Sequence, residues 1–384
     1  MKVCVVVLLS ATTSVVALPS FSSEMAWTDV EGGSRVHPLR AVQIAEINAK
    51  KSTWRAGPNE RFARTAPGSS RSMNGVNFQE QEMTKQVHLR SGAMLQFEPK
   101  EMVEIPESFD AAEKWPECAA MINDIRDQSN CGCCWAFAGA EAASDRLCIA
   151  TKGETVVPLS AQDTCFNANR DGCNGGQIIT PFAYLKSAGI VSGGQYNASG
   201  PFASQNLCSS FSLPHCHHHG PQGADPYPAE GAEGCPSQTS PPGPTTCDDP
   251  NSSSADFQSD KYFADAYAVA SGEEMIQRFV LESGPVETAF TVYDDFEVYE
   301  SGVYQHLTGS NAGGHAVVIT GWGVTEDGVK YWKINNSWNQ WWGENGGWRH
   351  LRGVNECGIE NEVTGTATDA KWSWGALGEA AELA

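Results

Sequence analysis

Apolar positions fall into two kinds of pattern along this chain. The Ala-rich stretch 134–147 sets Phe137, Ala140, Ser144 and Leu147 at three- and four-residue steps. That spacing puts small and apolar side chains on one buried helical stripe. A broken helical segment over 42–54 sets Ile44, Ile47 and Trp54 on one face, and the Gly/Ser/Asn-rich piece from Gly57-Pro58 through Asn77 reads as loop. Past Phe290 the pattern turns to strands: 316–320 and 329–334 flank Asp327-Gly328, a hairpin turn signal. Helices first and strands last predict an α+β protein with segregated halves.

Two other stretches break these patterns. Lys2 precedes a short apolar run, Val5 to Leu9, that ends at Ser10 and Thr12-Thr13, before the small residues of Val15-Val16-Ala17. The run is too short to span about 30 Å of hydrocarbon, and it reads as a cleaved signal peptide over 1–17. Residues 195–259 are rich in Gly, Pro, Ser and His. A loop of that length is uncommon unless functional, disordered or stapled, and Cys208, Cys216, Cys235 and Cys247 favour stapling.

Charge and cysteine content narrow the function. The 384 residues carry a net charge of −21, a poor match for phosphate backbones or anionic membrane surfaces. No nucleic-acid or membrane partner is expected. Thirteen cysteines point to an oxidising compartment. Residues 18–104 hold none of them, so this segment reads as a separately handled unit, a linker or small partner-binding region being the plainer alternative.

The most informative string is Gln128-Ser129-Asn130-Cys131-Gly132-Cys133-Cys134-Trp135-Ala136-Phe137. Cys134 stands where the Ala-rich helix begins, and a helix N-terminus favours the thiolate. Gly314-His315-Ala316 and Asn335-Asn336-Ser337-Trp338 follow much later. A thiolate, an imidazole and an amide that orients it are the working set for cysteine acyl transfer.

With these residues the sequence resembles the papain family of cysteine peptidases, and within it the cathepsin B branch. The family signature Cys-Gly-Ser/Ala-Cys-Trp/Tyr matches Cys131 to Trp135, except that Cys133 replaces the small third residue. Further matches run in order from about Ile105 to Ala367: Trp115-Pro116-Glu117-Cys118, Cys173-Asn174-Gly175-Gly176, Gly284-Pro285-Val286-Glu287, Gly321-Trp322-Gly323 and Cys357-Gly358-Ile359-Glu360. The resemblance implies a helical left domain and a β-barrel-like right domain with the active-site cleft between them. It implies Cys134 as nucleophile, His315 as general base and acid, Asn336 as its orienting residue and Gln128 as side-chain oxyanion donor. By the same resemblance, Trp338 would shield the Asn–His bond, Gly175 and Gly176 would pair with an extended substrate, and Glu362 would sit at the base of the S2 pocket, where it could accept arginine. A non-enzymatic binding protein on this scaffold is the alternative, and it would be expected to lack one of these groups.

His315 follows Cys134 by 181 positions, against about 130–150 for the family at large. The excess points to an insertion over 208–247, resembling an occluding loop in which His218-His219 would bind a substrate's C-terminal carboxylate, so that dipeptides are removed besides internal cuts. A His/Cys metal site and a solvated loop without a role are the rival readings of His215-Cys216-His217-His218-His219; no metal and no cofactor are assigned. The resemblance implies disulfides Cys118–Cys148, Cys131–Cys173, Cys216–Cys235 and Cys208–Cys247, with Cys357 unpaired. Cys133 and Cys165 are left over, and a bond between them is one way to place them.

Asn48, Ser52-Thr53-Trp54 and Ala56-Gly57 resemble the family's inhibitory propeptide, although 61–103 matches poorly. The expected organisation is therefore signal peptide 1–17, propeptide 18–104, peptidase domain 105–369 and a C-terminal extension 370–384. The expected partners are protein and peptide substrates and the chain's own propeptide; a monomer in a lysosome-like acidic compartment, or secreted, is expected. Asn197 and Asn251 head glycosylation motifs; Asn335 does too, but in the cleft.

Overall fold

The structure, a computed structural model, describes residues 28–29, 35–59, 61–196, 200–217, 230–233, 238–249 and 256–375. The expected signal peptide, Asn197, His218, His219, Cys235 and Asn251 lie outside these residues, and so does the side chain of Cys216.

The stretch 134–147 lies within a helix, Cys134–Ala150, buried from Cys134 through Cys148. Helix Thr180–Ser187 packs beside it, and residues 161–168 form a helical turn that passes into a π-turn at Thr164–Ala168. Their apolar faces make one core, with Phe137, Leu147, Phe166, Ile178 and Phe182 at its centre. A second core, built of Phe290, Phe296, Trp332, Trp338, Trp342 and Trp348, belongs to the sheet half. The α+β segregation read from the sequence is present. Arg146 ties the halves together: from inside the helix it donates to the carbonyls of Pro285, Gly284 and Thr366.

The sheet has ten strands, nine of them in the order Trp54–Ala56, Tyr299–Tyr304, Gly347–Leu351, Lys330–Asn335, Asn311–Val324, Val286–Tyr293, Val363–Thr366, Tyr267–Ala270 and Leu95–Gln96, with Phe109–Asp110 paired to the long strand. The expected hairpin is there, Val324 facing Lys330 across the Asp327-Gly328 turn. The sheet half does not close into a full barrel, and both edges of the sheet are filled by strands from the N-terminal segment.

In that segment a short ribbon of Thr28–Asp29 and Arg35–Val36 leads into helix Pro38–Ala49, which buries Arg40, Gln43 and Ile47. Trp54 does not continue its face. The chain leaves the helix at Lys51, whose φ is 49°, and Trp54 lies in an edge strand instead. It still reaches Ile47's core, between Tyr299 and Tyr304. A second helix, Phe78–Ser91, is capped by the Asn77 side chain and ended by Gly92 at φ 70°. It buries only Gln81, so no apolar stripe marks it in the sequence.

Disulfides join Cys118 to Cys148, Cys131 to Cys173 and Cys208 to Cys247. The C-terminal extension is part of the fold as far as Trp374: Trp372–Trp374 pairs with Tyr262–Ala264, and Trp372 is buried in the helical core.

Candidate active site

Cys134 is the first residue of its helix, at the seam between the two halves. The Cys131–Cys173 disulfide and the bond from Gly132 N–H to Cys173 O fix the turn before it. His315 comes from the other half, on the long strand Asn311–Val324, and Asn336 directly follows the neighbouring strand Lys330–Asn335. The sheet register thus brings Asn336 Oδ1 to 2.8 Å from His315 Nε2. With the proton on Nε2, Asn336 accepts it and Nδ1 is the free acceptor of the ring. Nδ1 has no hydrogen-bond partner among the described residues. The Trp338 ring lies 4.8 Å from the imidazole, centroid to centroid, and is fully buried. It packs against the imidazole beside the His–Asn bond.

Gln128 is held by a residue the sequence reading passed over: Ser337 Oγ donates to its Oε1 at 2.7 Å. Its amide is thereby oriented with Nε2 toward the cleft. In the sequence Ser337 stands only beside Asn336 and inside the motif headed by Asn335, with no catalytic role attached.

Four groups lining the cleft are occupied by the main chain of the N-terminal segment. Gln128 Nε2 donates to Met73 O at 2.9 Å, and Gly75 N–H donates to Cys134 Sγ at 3.4 Å. Gly176 N–H donates to Gly75 O at 3.0 Å, and Val76 N–H donates to Gly314 O at 2.9 Å. Gly175, at φ 114°, permits this approach: a Cβ there would stand 2.4 Å from Gly75 O. Residues 73–76 therefore run between the helical wall at Gly175-Gly176 and the sheet wall at Gly314. Glu362 is reached by the same segment, Lys85 Nζ lying 3.1 Å from its carboxylate.

This cover sets the protonation of the site. Burial pushes the Cys134 thiol up to about 12 and the His315 imidazole down to about 4, the Arg61 guanidinium adding to the latter. Burial thus favours the neutral form of both groups while the segment is in place. Burial also raises Glu362, with Lys85 opposing.

A buried thiol on a helix start, an imidazole oriented by an amide and a side-chain N–H donor form a nucleophilic acyl-transfer constellation. The family described as "Papain family cysteine protease" matches residues 105–367. The chain belongs to the papain family of cysteine proteases. It is 39% identical over 335 residues to "Cathepsin B-like cysteine proteinase 6" of Caenorhabditis elegans, covering 84% of this chain and 81% of that one. It is 38% identical over 343 residues to "Cathepsin B-like cysteine proteinase" of Schistosoma japonicum, covering 88% and 93%. Among solved structures, "proCathepsin B S9 from Trypanosoma congolense" superposes with a TM-score of 0.66 at 29% identity, over 85% of this chain and 97% of that one. This papain-family chain is thus a cysteine peptidase with cathepsin B-like relatives. Among the described residues no helix is long and apolar enough to cross a membrane.

Proposed function

We propose that the chain is the zymogen of a cathepsin B-like peptidase whose segment 18–104 occupies its own cleft. The observation that carries this is the set of four main-chain contacts from Met73, Gly75 and Val76 to Gln128, Cys134, Gly176 and Gly314. A cleft that holds an extended main chain this way can hold a substrate. In the uncovered enzyme, Cys134 thiolate attacks the peptide carbonyl and His315 gives its proton to the leaving amine. Water, activated by the same imidazole, then hydrolyses the thioester. Asn336 holds the ring, Trp338 keeps their bond dry, and Gln128 Nε2 donates to the oxyanion. Removal of the segment is proposed to leave a mature N-terminus within a few residues of Ile105. Mass spectrometry of acid-matured protein checks this, and a mature form that keeps 60–100 refutes it.

Two finer readings concern substrate choice. Glu362 is proposed to pair with arginine at P2; the support is that its carboxylate already receives a cation, Lys85, from the covering segment. Glu362→Ala should reduce hydrolysis of Arg-at-P2 substrates far more than Phe-at-P2 ones. The second is C-terminal dipeptide removal, with imidazolium at His218 and His219 binding the terminal carboxylate. It rests on the resemblance of the 208–247 insertion, whose base is closed by Cys208–Cys247. Dipeptide release should fall when the substrate C-terminus is amidated and in His218→Ala/His219→Ala. Endopeptidase cleavage without that dependence removes the reading. An acidic endomembrane compartment or secretion fits a disulfide-bearing peptidase that binds carboxylates through protonated histidine.

A further inference from the structure

Two cysteines have no place in the chemistry above. Cys133 directly precedes the nucleophile, and Cys165 is the second residue of the π-turn Thr164–Ala168; both are free and fully buried. Their sulfurs and that of Cys131 all lie within 4.8 Å of one another, and the Cys133 and Cys165 side chains are within hydrogen-bonding reach. Cys131 is already joined to Cys173. Gly172, beside Cys173, makes room for the third sulfur: a Cβ there would stand 2.4 Å from Cys165 Sγ. Two buried thiols in contact, in a protein with three disulfides among its described residues, are placed to be oxidised to a further one.

The geometry points to a disulfide between Cys133 and Cys165 in the secreted, folded protein. Each thiol loses its proton and the sulfurs share a new bond; the two electrons reduce an external disulfide of the glutathione class to two thiols by exchange. The bond forms during folding, together with the other disulfides. Once Cys165 is buried its thiol is pushed far up by desolvation and by Cys133, so its thiolate is too scarce for later exchange. It is therefore a structural staple rather than a sensor. It ties the residue before Cys134 to the π-turn Thr164–Ala168, which leads into the wall at Gly175-Gly176. It also removes a rival thiol from beside the nucleophile and from beside the Cys131–Cys173 bond. A metal ion is the poorer occupant: with Cys131 in a disulfide, two thiolates remain where a structural zinc site takes four ligands.

Tryptic mapping tests this directly, because cleavage after Arg126, Arg146, Lys152, Arg170 and Lys186 puts Cys131–Cys134, Cys165 and Cys173 on three separate peptides. The full-length zymogen is secreted, denatured in guanidinium with iodoacetamide and no reductant, and digested. The expected product is one assembly of peptides 127–146, 153–170 and 171–186, with alkylation at Cys134 only. Cys133→Ser should release 153–170 with Cys165 alkylated. Free 153–170 carrying alkylated Cys165 in the unsubstituted protein would overturn the inference, whether or not zinc copurifies. Retention of 153–170 in Cys133→Ser would overturn it as well, by showing another partner. If that variant does not fold, fragmentation of the unsubstituted assembly decides between Cys133 and Cys134 as the partner of Cys165.

Discussion

Residues 18–104 carry 11 Lys+Arg and 10 Asp+Glu, whereas residues 105–384 carry 13 and 36. Where the two regions meet, this difference is organised. Among the described residues, six ion pairs cross between them: Arg40–Glu297, Arg55–Glu300, Arg61–Asp127, Arg71–Asp294, Lys85–Glu362 and Lys100–Asp369. Every cation belongs to the first region and every anion to the second. The first region adds edge strands and main-chain hydrogen bonds, and its second helix has almost no buried face. The second region supplies most of two large apolar cores, to which the first adds Ile47, Trp54, Phe62, Val76 and Met94, and among the described residues it is also joined by three disulfides and by the carbonyls around Arg146. The first region's ion pairs make part of its attachment depend on protonation, beside its edge strands and the packing of Ile47, Trp54 and Phe62; the second region has ion pairs of its own, such as buried Lys261–Asp163, but its disulfides and apolar cores do not titrate. That asymmetry suits a part made to leave and a part made to stay.

The largest expected effect isolates the second region's chemistry. Cys134→Ala should lower the kcat of matured enzyme by about 10⁴-fold or more, while the variant still binds a separately supplied 18–104 peptide. Residual turnover within tenfold of the parent would move the nucleophile elsewhere. The next variant sharpens the contrast between regions. Arg40 and Glu297 are both fully buried, so Arg40→Met leaves an unpaired buried carboxylate, worth about 3–5 kcal/mol. Urea denaturation should show this loss in the zymogen; matured enzyme made from the same variant should melt like the parent. Equal loss in both would mean that the pair does not belong to the boundary.

Gln128→Ala should cost about 10²–10³ in kcat with little change in KM, as for a lone oxyanion donor. Steady-state kinetics at two substrate lengths would check it. The smallest effect is in pH. In the covered site His315 is held at about 4, against about 6.5 for an ordinary histidine. The covered state therefore binds fewer protons, and its advantage, whole above about 6.5, is lost as pH falls toward 4. Release of 18–104 from the Cys134→Ala zymogen, followed by tryptophan fluorescence, should quicken across that window. A rate independent of pH there would show that His315 has its ordinary value while covered.

Most of the site is visible in the sequence because its residues are few, chemically distinctive and set in local strings: Cys134 before Trp135, His315 after two glycines, Asn336 before Ser337 and Trp338. The hairpin at Asp327-Gly328 and the 134–147 stripe are equally local. What the sequence hides is non-local. Gly75 and Val76 look like loop, and only the two facing walls make them the plug of the cleft. Helix Phe78–Ser91 has no apolar periodicity because it buries one glutamine. Trp54 sits at helical spacing from Ile47 but reaches the same core from a strand. Nor does the sequence show that both edges of the sheet are taken by strands from the N-terminal segment, because those pairings are long-range.

The proposed autoinhibition has the main chain of Met73–Val76 keep Cys134 from acting. The most direct test is the rate at which an epoxide inhibitor of papain-like enzymes alkylates the protein before and after removal of 18–104, with the labelled residue identified by peptide mapping. The account predicts labelling at Cys134 alone, orders of magnitude faster in the matured enzyme than in the zymogen. Equal rates in the two forms, or a label at any other residue, would contradict it.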